Sequence, residues 1–382
     1  MSGPTKKNIE IRAVTGKKAL KTFIKVPWSI YRDDPHWIPP LLSERKDALS
    51  SKHPFFEHAS WKAWVAWQDG KPVGRISAQV DQLHQERYQN KTGFFGLIEA
   101  PDDAAVFSAL FGAAENWLRE NGMQNVVGPF NLGINQEVGI LVDGFDTPPR
   151  IMTTHSRRYY GPAIEQCGYT PAQDMLAYEL DINTYRSPAS KDEVLDRYQG
   201  RIKVRELNRK NMEVDFETMR DIFNDAWRDN WNSVPFSRAE FIAIGKELLM
   251  VVPHDFLQIA EIDGEPAGFI ALLPDINEAI ADLNGRLLPF GWAKLIWRLK
   301  VKFPSACRIP LMGVRKKYQN TIFGPAMAYM LVESVMGPGL GRGGKRVEMS
   351  WILESNKPTR NIIEKFGGKI TKRYRMYEKT LT

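Results

Sequence analysis

Cysteine and histidine are scarce in this sequence, and their scarcity excludes several kinds of protein. Only two cysteines occur among 382 residues, Cys167 and Cys307, and neither lies in a CxxC pair or near a histidine at metal-binding spacing. A disulfide-rich scaffold and a structural zinc site are therefore excluded. The six histidines form no HExxH motif or related pattern, so the sequence predicts no metal site.

Long apolar runs are missing as well. No uninterrupted run reaches the roughly 18 residues needed to span a bilayer, and the first residues, MSGPTKKNIEIRA, contain no apolar core of a secretory signal. From these absences we expect a cytoplasmic protein. Any association with the membrane is then expected to be peripheral, at its inner face.

Acidic residues are nearly absent from one part of the chain. Between Gly285 and Arg346 the sequence contains twelve Lys or Arg and a single acid, Glu333, whereas the remainder has 40 basic and 44 acidic residues. The net charge of +7 therefore comes from one region. A concentrated positive region attracts phosphate, whether of a nucleotide cofactor, nucleic acid, an acidic carrier or anionic lipid.

Three pairs of segments show that the chain contains an internal repeat. "DGKPVGRI" (69–76) pairs with "DGEPAGFI" (263–270), and "IEQCGYTPAQDMLAYE" (164–179) pairs with "IEKFGGKITKRYRMYE" (363–378). Between them, "AAENWLRENGMQNVV" (113–127) parallels residues 331–349, and both segments predict a helix followed by a strand. Three matches in the same order indicate two related domains.

The repeated unit predicts a mixed α/β (α+β) fold. Asp-Gly between alternating apolar residues is typical of a two-residue hairpin turn, because both turn positions need positive φ angles. A helix and a strand follow, then a short helix that ends at Gly168 or Gly367, and then a last strand. We place the boundary near residues 187–200, which gives domains at 1–190 and 200–382.

Two stretches of the second domain resemble a known enzyme family. "MGVRKKYQNTIFGPAMAYMLVESVM" (312–336) and "VEMSWILESNKPTRNIIEKFGGKITKRYRMYEK" (347–379) are similar to the GNAT acyltransferase superfamily. The segments "GRLLPFGW", "MGV" and "SWILE-N" resemble bacterial tandem-GNAT proteins, some of which are associated with forming the amide bond of ceramides. The resemblance implies two GNAT-like domains, each a mixed, largely antiparallel sheet flanked by helices, with acyl-CoA or acetyl-CoA as co-substrate and no metal.

The same resemblance implies a CoA site after a strand of the second domain. In the family, a strand leads into a turn of the form Val-x-x-x-x-Arg/Gln-x-x-Gly-x-Gly/Ala, which opens a helix whose N-terminus binds the diphosphate. The backbone of the strand end holds the pantetheine and the oxyanion. Val314, Gln319 and Gly324 fill this pattern, with Ile322 at the position of its first glycine, and Arg315, Lys316 and Lys317 add positive charge for phosphate. The cofactor site that the resemblance implies is Met312, Gly313, Val314, Arg315, Lys316, Lys317, Gln319, Asn320, Thr321, Gly324 and Ala326.

The corresponding turn of the first domain differs in sequence and in charge. It reads "LIEAPDDAAVFSAL", without the glycines, and it places Asp102 and Asp103 where phosphate would have to bind. Like charges oppose such binding. We therefore expect the first domain to be degenerate, without a phosphate loop.

Candidate catalytic residues lie on the strand and turn that follow the predicted cofactor helix. Glu348 lies inside a predicted strand, where a carboxylate is either paired with a neighbour such as Arg346 or acts as a general base. Glu354 and Asn356 end that strand near the expected thioester, and Glu354 is a second candidate for the base.

The segment "NDAWRDNWNSVPF" is the candidate substrate-binding region. Asp225 and Asp229 are candidates for binding the amine, with a polar helix end as the alternative, and the aromatic residues Trp227 and Trp231 are typical of a wall along an acyl chain.

The segment "GWAKLIWRLKVKF" (291–303) is amphipathic at helical spacing. Its apolar face contains Trp292, Leu295 and Leu299, and Lys294, Arg298 and Lys302 are spaced four apart on the other side. It is interpreted either as a surface helix packed on its domain, or as an interfacial helix whose Trp292, Leu295 and Leu299 contact lipid, or as a docking site for an acidic acyl carrier protein.

Together these features predict an acyl-CoA-dependent N-acyltransferase that transfers a long-chain acyl group to an amine at an anionic membrane surface. Two alternatives stay open: acetylation of a small soluble amine or a protein, and a non-catalytic module that senses acyl-CoA or binds nucleic acid. Nucleic acid is disfavoured as a partner because the basic region lacks interleaved aromatic residues.

Overall fold

The computed structural model describes residues 8–183, 185, 198 and 201–381. These residues form two compact units that do not follow the chain as two consecutive halves. Unit 1 takes the residues up to Asp174, the short segment Asp282–Arg286, and the residues from Lys372 onward. Unit 2 takes Met175–Ala281 and Leu287–Thr371. Most of the predicted boundary, residues 187–200, lies outside the described residues.

Unit 1 contains the elements of the first repeat. Its strands are β1 (Ile9–Ala13), β2 (Ala59–Gln68), β3 (Lys71–Asp81), β4 (Thr92–Glu99), β5 (Asn125–Gly128), β6 (Phe130–Asn131), β7 (Glu137–Val138) and β8 (Ile140–Asp143). Its helices are α1 (Gly16–Lys25), α2 (Pro27–Ile30), α3 (Leu42–Ala48), α4 (Gln82–Tyr88), α5 (Ala104–Glu120) and α6 (Tyr160–Gln166). A 3-10 turn spans Pro54–Glu57.

Unit 2 contains the elements of the second repeat. Its strands are β10 (Ile202–Glu206), β11 (Leu257–Ile262), β12 (Glu265–Pro274), β13 (Ala306–Val314) and β14 (Arg346–Leu353). Its helices are α7 (Met212–Trp227), α8 (Arg238–Leu249), α9 (Ile276–Ile280), α10 (Gly291–Trp297), α11 (Lys316–Gln319), α12 (Phe323–Gly341) and α13 (Lys357–Lys365), with a 3-10 turn at His254–Phe256 and a π-turn at Arg298–Lys302.

The two remaining strands divide between the units. In β9 (Thr170–Asp181) the residues from Met175 onward belong to unit 2, and in β15 (Lys369–Thr380) the residues from Lys372 onward belong to unit 1. Each repeat therefore contributes its last strand to the other unit. In unit 2, β9 pairs antiparallel with β14, and in unit 1, β15 pairs antiparallel with β5 and β8.

The strand order is the same in both units. Unit 1 has the order β1-β2-β3-β4-β5-β15, and unit 2 has the order β10-β11-β12-β13-β14-β9. All neighbours within each set are antiparallel except β4 with β5 and β13 with β14. This arrangement confirms the predicted mixed α/β fold, in which the strands of each unit are largely antiparallel and are flanked by helices.

The two Asp-Gly turns have the predicted geometry. Asp69 and Gly70 have φ angles of +49° and +72°, and Asp263 and Gly264 have φ angles of +52° and +86°. Positive φ at both central positions is the type I′ turn that suits the twist of a hairpin. The turns join β2 to β3 and β11 to β12 through two residues each.

One long helix packs on the strands of each unit and connects the two parallel strands along the chain. In unit 1, Phe107 and Leu110 of α5 are fully buried in a core cluster with residues of β2, β3 and β4. In unit 2, Met327 and Leu331 of α12 are fully buried, and both lie against the position that a Cβ on Gly268 of β12 would take. The N-terminus of each helix therefore lies at the end of the strand that precedes it.

Candidate active site

The strands β13 and β14 separate midway along their length. Their parallel pairing runs from Ala306 opposite Arg346 to Ile309 opposite Met349. The next residue of β13 is Pro310, which has no backbone N–H to donate to a neighbouring strand. Beyond it, β13 pairs with β12 among the described residues, so a gap opens beside its last residues.

The register of β12 determines which backbone groups of β13 border this gap. Arg315 donates its N–H to the carbonyl of Ala267 at 2.8 Å, and Phe269 stands opposite Gly313. Because alternate residues of an antiparallel strand bond to the same neighbour, the peptide groups of Met312 and Val314 point away from β12. Their N–H groups therefore border the gap.

The carbonyl groups on the same side already have donors. The indole Nε1 of Trp227 donates to the carbonyl of Met312 at 3.2 Å, and Nε2 of Gln319 donates to the carbonyl of Val314 at 2.8 Å. Trp227 also stacks on Phe223, with ring centroids 4.7 Å apart. These contacts hold the end of α7 against the end of β13.

A tight turn connects β13 to α12, and Gly324 makes it possible. A Cβ at this position would lie 2.7 Å from the carbonyl oxygens of both Tyr318 and Gln319, which no side chain tolerates. Asn320 and Thr321, between α11 and α12, are exposed, whereas Ala326 is buried in the first turn of α12. The predicted loop residues are therefore brought together at one helix N-terminus.

The first amides of α12 are already occupied. Thr321 accepts the N–H of Phe323 on its side-chain oxygen at 3.2 Å and the N–H of Gly324 on its carbonyl at 3.3 Å. The third position is Pro325, which has no N–H. A phosphate bound here would displace Thr321 from these amides and would gain the positive end of the helix dipole.

Each of the three predicted phosphate-binding cations has an acidic partner. Arg315 donates to Asp221 at 2.7 Å, Lys316 forms a short ion pair with Asp229, and Lys317 contacts Glu265 at 3.1 Å. The Glu265 hydrogen bond raises the pKa of Lys317. The cations are thus gathered beside the loop, and acidic side chains hold them there.

Three aspartates are spaced four residues apart at the end of α7 and in the turn after it. Asp221, Asp225 and Asp229 lie on one side of the helix and the turn that follows it. Asp225 accepts the backbone N–H of Lys316 at 2.7 Å. We call Asp221, Asp225 and Asp229 the acidic ladder.

A cavity of about 430 Å³ lies beside the acidic ladder. It is lined by Asp225, Glu265, Pro266, Arg315 and Lys317. Asp225, Trp227 and Asp229, predicted to bind substrate, thus contact the predicted cofactor residues directly. The fourth candidate, Trp231, is half-buried in the following turn.

Glu348 is part of a buried cluster at the point where β13 and β14 separate. Its carboxylate lies 3.7 Å from the guanidinium of Arg308, and both side chains are 1% exposed. Ser350 joins them, since its hydroxyl donates to Glu348 at 2.6 Å and accepts from Arg308 at 2.8 Å. The partner of Glu348 is therefore Arg308 on the adjacent strand, whereas the sequence had suggested Arg346.

The other two catalytic candidates lie at the end of β14. The side-chain oxygen of Asn356 accepts the N–H of Thr359 at 3.2 Å and caps α13. Glu354 is half-buried, and its carbonyl accepts a hydrogen bond from Arg360 at 2.8 Å. Asn356 thus caps a helix, and Glu354 is a residue that the protein covers only in part.

In unit 1 the equivalent turn is filled by two tyrosines. Tyr159 donates its hydroxyl to the carbonyl of Ala100 at 2.8 Å, and Tyr160 donates to Glu99 at 2.7 Å. Burial raises the pKa of Tyr160 far above its usual value. Asp103 accepts the N–H of Ala105 at 3.0 Å and caps α5. The absence of a phosphate loop from unit 1 stays a prediction.

Unit 1 has a cavity of its own, of about 590 Å³, lined in part by Asp34, Asp102 and His155. Nε2 of His155 lies 3.0 Å from Asp34, and the side chain of His155 is 4% exposed. Burial lowers the pKa of His155 despite the neighbouring carboxylate.

In the amphipathic segment 291–303, some side chains do not lie on the side that the sequence predicted. Leu299 is only 9% exposed and Leu295 is half-buried, so both pack inward, whereas Trp292 is 52% exposed. Arg298, expected on the polar outer face, donates to the carbonyl of Ala279 at 2.8 Å. Of the three residues predicted to contact lipid, Leu299 is therefore turned away from the surface.

Sequence reasoning missed several residues of the site. Arg308, Ser350 and Asp221 have no motif that marks them, since their roles depend on which strand or helix lies next to them. The one usable signal was the spacing of four between Asp221, Asp225 and Asp229, which places them on one helix face.

Comparison with known proteins agrees with this architecture. The chain is 49% identical over 372 residues to protein YghO of Escherichia coli K12, covering 97% of this chain and 95% of that protein. It is 44% identical over 379 residues to the bacterial ceramide synthase of Caulobacter vibrioides, covering 99% of both. No protein-family model matches the chain.

A solved structure supports the fold independently. A tandem GNAT protein from the clavulanic acid biosynthesis pathway superposes with a TM-score of 0.59, covering 98% of this chain and 99% of that one, at 11% identity. At that identity the likeness concerns the fold alone. With two relatives above 40% identity over nearly the whole length, the chain belongs to the family that includes YghO and the Caulobacter ceramide synthase, and its fold is that of tandem GNAT proteins.

Proposed function

We propose that this protein is an acyl-CoA-dependent N-acyltransferase whose reaction takes place in unit 2. The observation that carries the proposal is the gap between β13 and β14, which leads into the turn and helix N-terminus at residues 315–326. An acyl-CoA has an amide-containing arm and a diphosphate, and this arrangement offers backbone N–H groups for the arm and a helix dipole for the phosphates.

In the proposed complex the pantetheine arm lies along the end of β13. Its amides pair with the backbone of Met312 and Val314, as an added strand would. The diphosphate lies at the turn around Thr321 and Gly324, where Arg315, Lys316 and Lys317 supply positive charge once they exchange their acidic partners for phosphate oxygens.

The proposed reaction is a direct transfer. The neutral amine attacks the thioester carbonyl and forms a C–N bond, the tetrahedral oxyanion is stabilised by backbone N–H groups near Met312, and the C–S bond then breaks to release CoA as the thiolate. A base takes the proton from the amine nitrogen. We assign that role to Glu354, because Glu348 is buried against Arg308 and Asn356 caps a helix.

We further propose a long-chain acyl donor and a lipid amine acceptor, used at an anionic membrane surface. The relative named bacterial ceramide synthase supports this choice, since a ceramide contains an amide between a long acyl chain and a lipid amine. Trp227 contacts the end of β13 through the carbonyl of Met312, and the aromatic rings of Trp227 and Trp231 are suited to contact an acyl chain. In the described part of the chain no helix is long and apolar enough to cross a bilayer, so the proposed association is peripheral.

The test is a turnover assay with palmitoyl-CoA and acetyl-CoA against a panel of amines that includes a long-chain amino alcohol. We expect mass spectrometry to show the long-chain amide and free CoA with palmitoyl-CoA and much less product with acetyl-CoA. Equal use of the short donor would contradict the lipid assignment and favour acetylation of a soluble amine. CoA binding without product from any amine would contradict the enzyme assignment.

A further inference from the structure

The exposed apolar side chains of the protein are concentrated in one short stretch. Eleven large hydrophobic residues are exposed on the described surface, and six of them lie within fourteen residues of unit 2. We call these six the apolar ridge: Leu288 (79% exposed), Phe290 (73%), Trp292 (52%), Ile296 (49%), Trp297 (53%) and Val301 (69%). Soluble surfaces rarely collect such residues unless they contact a partner or a lipid.

The ridge is held outward by contacts on its inner side. Leu299 is buried, Arg298 bonds the carbonyl of Ala279, and the ring of Phe303 contacts that of Phe256 edge-on at 5.8 Å. The turn before the helix is fixed as well, since Trp292 donates its backbone N–H to the carbonyl of Leu287 at 2.9 Å. The apolar residues are therefore displayed by a packed element.

The charge of the segment that carries the ridge indicates which kind of partner the ridge binds. No Asp or Glu occurs between Leu287 and Val332, and Lys300 and Lys302 are exposed beside the ridge. A second copy of the chain docked on the same face would bring cations against cations, which opposes a symmetric dimer. Apolar and tryptophan side chains flanked by lysines instead suit the boundary between acyl chains and anionic headgroups.

We propose that the apolar ridge is a membrane-docking surface, which inserts its side chains into the interface of an anionic leaflet while Lys300 and Lys302 contact the headgroups. This inference rests on the proposed function, since a long-chain acceptor has to be collected from lipid. It differs from the sequence prediction in its contacts, because Leu288, Phe290 and Trp297 replace Leu295 and Leu299.

The proposal is tested by co-sedimentation of the full chain with vesicles of phosphatidylcholine, with and without phosphatidylglycerol. We expect binding to the anionic vesicles, weakened by raised salt because the lysine contribution is screened. The variant L288S/F290S/W297S should lose at least about tenfold in partitioning, since three apolar side chains leave the interface. The matched control is V214S/M250S, which removes exposed side chains of unit 2 outside the ridge and should bind as the parent does.

Several outcomes would overturn the proposal. These are a parent protein that stays in the supernatant, a triple variant that pellets like the parent, and capture by an acidic carrier protein in place of vesicles. Thermal unfolding of each variant establishes that it is folded. Turnover on a detergent-dispersed amine separates the two proposals: unchanged turnover without vesicle binding overturns the ridge alone, and vesicle binding without turnover overturns the enzyme assignment alone.

Discussion

The carboxylate of Asp225 accepts the backbone N–H of Lys316 at 2.7 Å, and it thereby occupies a backbone donor at the start of the proposed phosphate-binding turn. With Asp221 on Arg315 and Asp229 on Lys316, the acidic ladder neutralises two of the three cations of that turn. An acidic side chain and a phosphate compete for the same donors.

This competition predicts that removing charge from the ladder strengthens CoA binding. We expect D225N and D229N each to lower the Kd for CoA about three- to tenfold, because a neutral amide holds the turn less tightly against an incoming phosphate. Isothermal titration at low salt measures the change.

The matched control is E213Q, which removes an exposed acid paired with the exposed Lys246 at the other end of α7. Its CoA affinity should equal that of the parent. If D225N or D229N instead bound CoA normally and raised only the KM for the amine, the two carboxylates would be amine-binding residues, as the sequence suggested.

A second prediction concerns Gly324. In G324A the new methyl group would lie 2.7 Å from two carbonyl oxygens, so we expect a loss of about 1–3 kcal/mol in the free energy of unfolding and weaker CoA binding. Gly337, in the same helix, has no atom within 4 Å of its Cβ position, and G337A should gain about 0.5–1 kcal/mol. Urea denaturation of both variants tests the contrast, and equal stabilities would refute the close packing of the turn.

A third prediction contrasts Glu348, in the buried cluster with Arg308 and Ser350, with Glu354, the proposed base. E348Q removes a negative charge that is buried 3.7 Å from the guanidinium of Arg308, so it should cost about 3–5 kcal/mol of unfolding free energy. E354Q should change the unfolding free energy less than E348Q does, because Glu354 is only half-buried, and it should lower kcat about 10²- to 10⁴-fold, because it removes the proposed base. An E348Q protein of normal stability with no activity would assign the base to Glu348 instead.

The pair of His155 and Asp34 predicts a pH dependence of stability. Burial lowers the pKa of His155 below its value in the unfolded chain, so the unfolded state binds the proton more readily. The lowered pKa of His155 therefore does not affect the free energy of unfolding above about pH 6.5, and it reduces that free energy as the pH falls below this value. H155Q should show a shallower loss of stability between pH 6.5 and 5 in urea denaturation, and an unchanged slope would contradict a buried neutral imidazole.

Asp34 acts in a lower pH range. Burial alone would raise the pKa of its carboxyl, but hydrogen bonds from His155 and from the backbone of His36, with the charge of Arg157, lower it. Its contribution to stability is present above about pH 4 and is lost as the pH falls through its folded-state pKa. The two groups can therefore be distinguished by pH.

Local features of the fold were predictable from the sequence. The Asp-Gly turns at 69–70 and 263–264, and the helix ends at Gly168 and Gly367, depend on φ angles that few residues adopt, and all six residues have positive φ. Such positions are set by neighbours in the chain.

Features that depend on non-local partners were not predictable in this way. Because the repeats end in similar strands, the sequence does not specify that β9 pairs with β14 and that β15 pairs with β5. Likewise, the helical pattern of 291–303 indicates an apolar side but not how far the protein covers it, which is why Leu299 lies inside. The ion pairs at Arg315 and Lys316 depend on α7, which is remote in sequence.

The most direct test is a crystal structure of the full chain with a non-hydrolysable thioether analogue of palmitoyl-CoA. The proposed function predicts the pantetheine arm between β13 and β14, the diphosphate at residues 315–326, and Asp225 displaced from Lys316. An analogue bound instead at the turn of Asp102 and Asp103 in unit 1, or a β13–β14 gap without the arm at saturating ligand, would contradict the assignment of acyl transfer to unit 2.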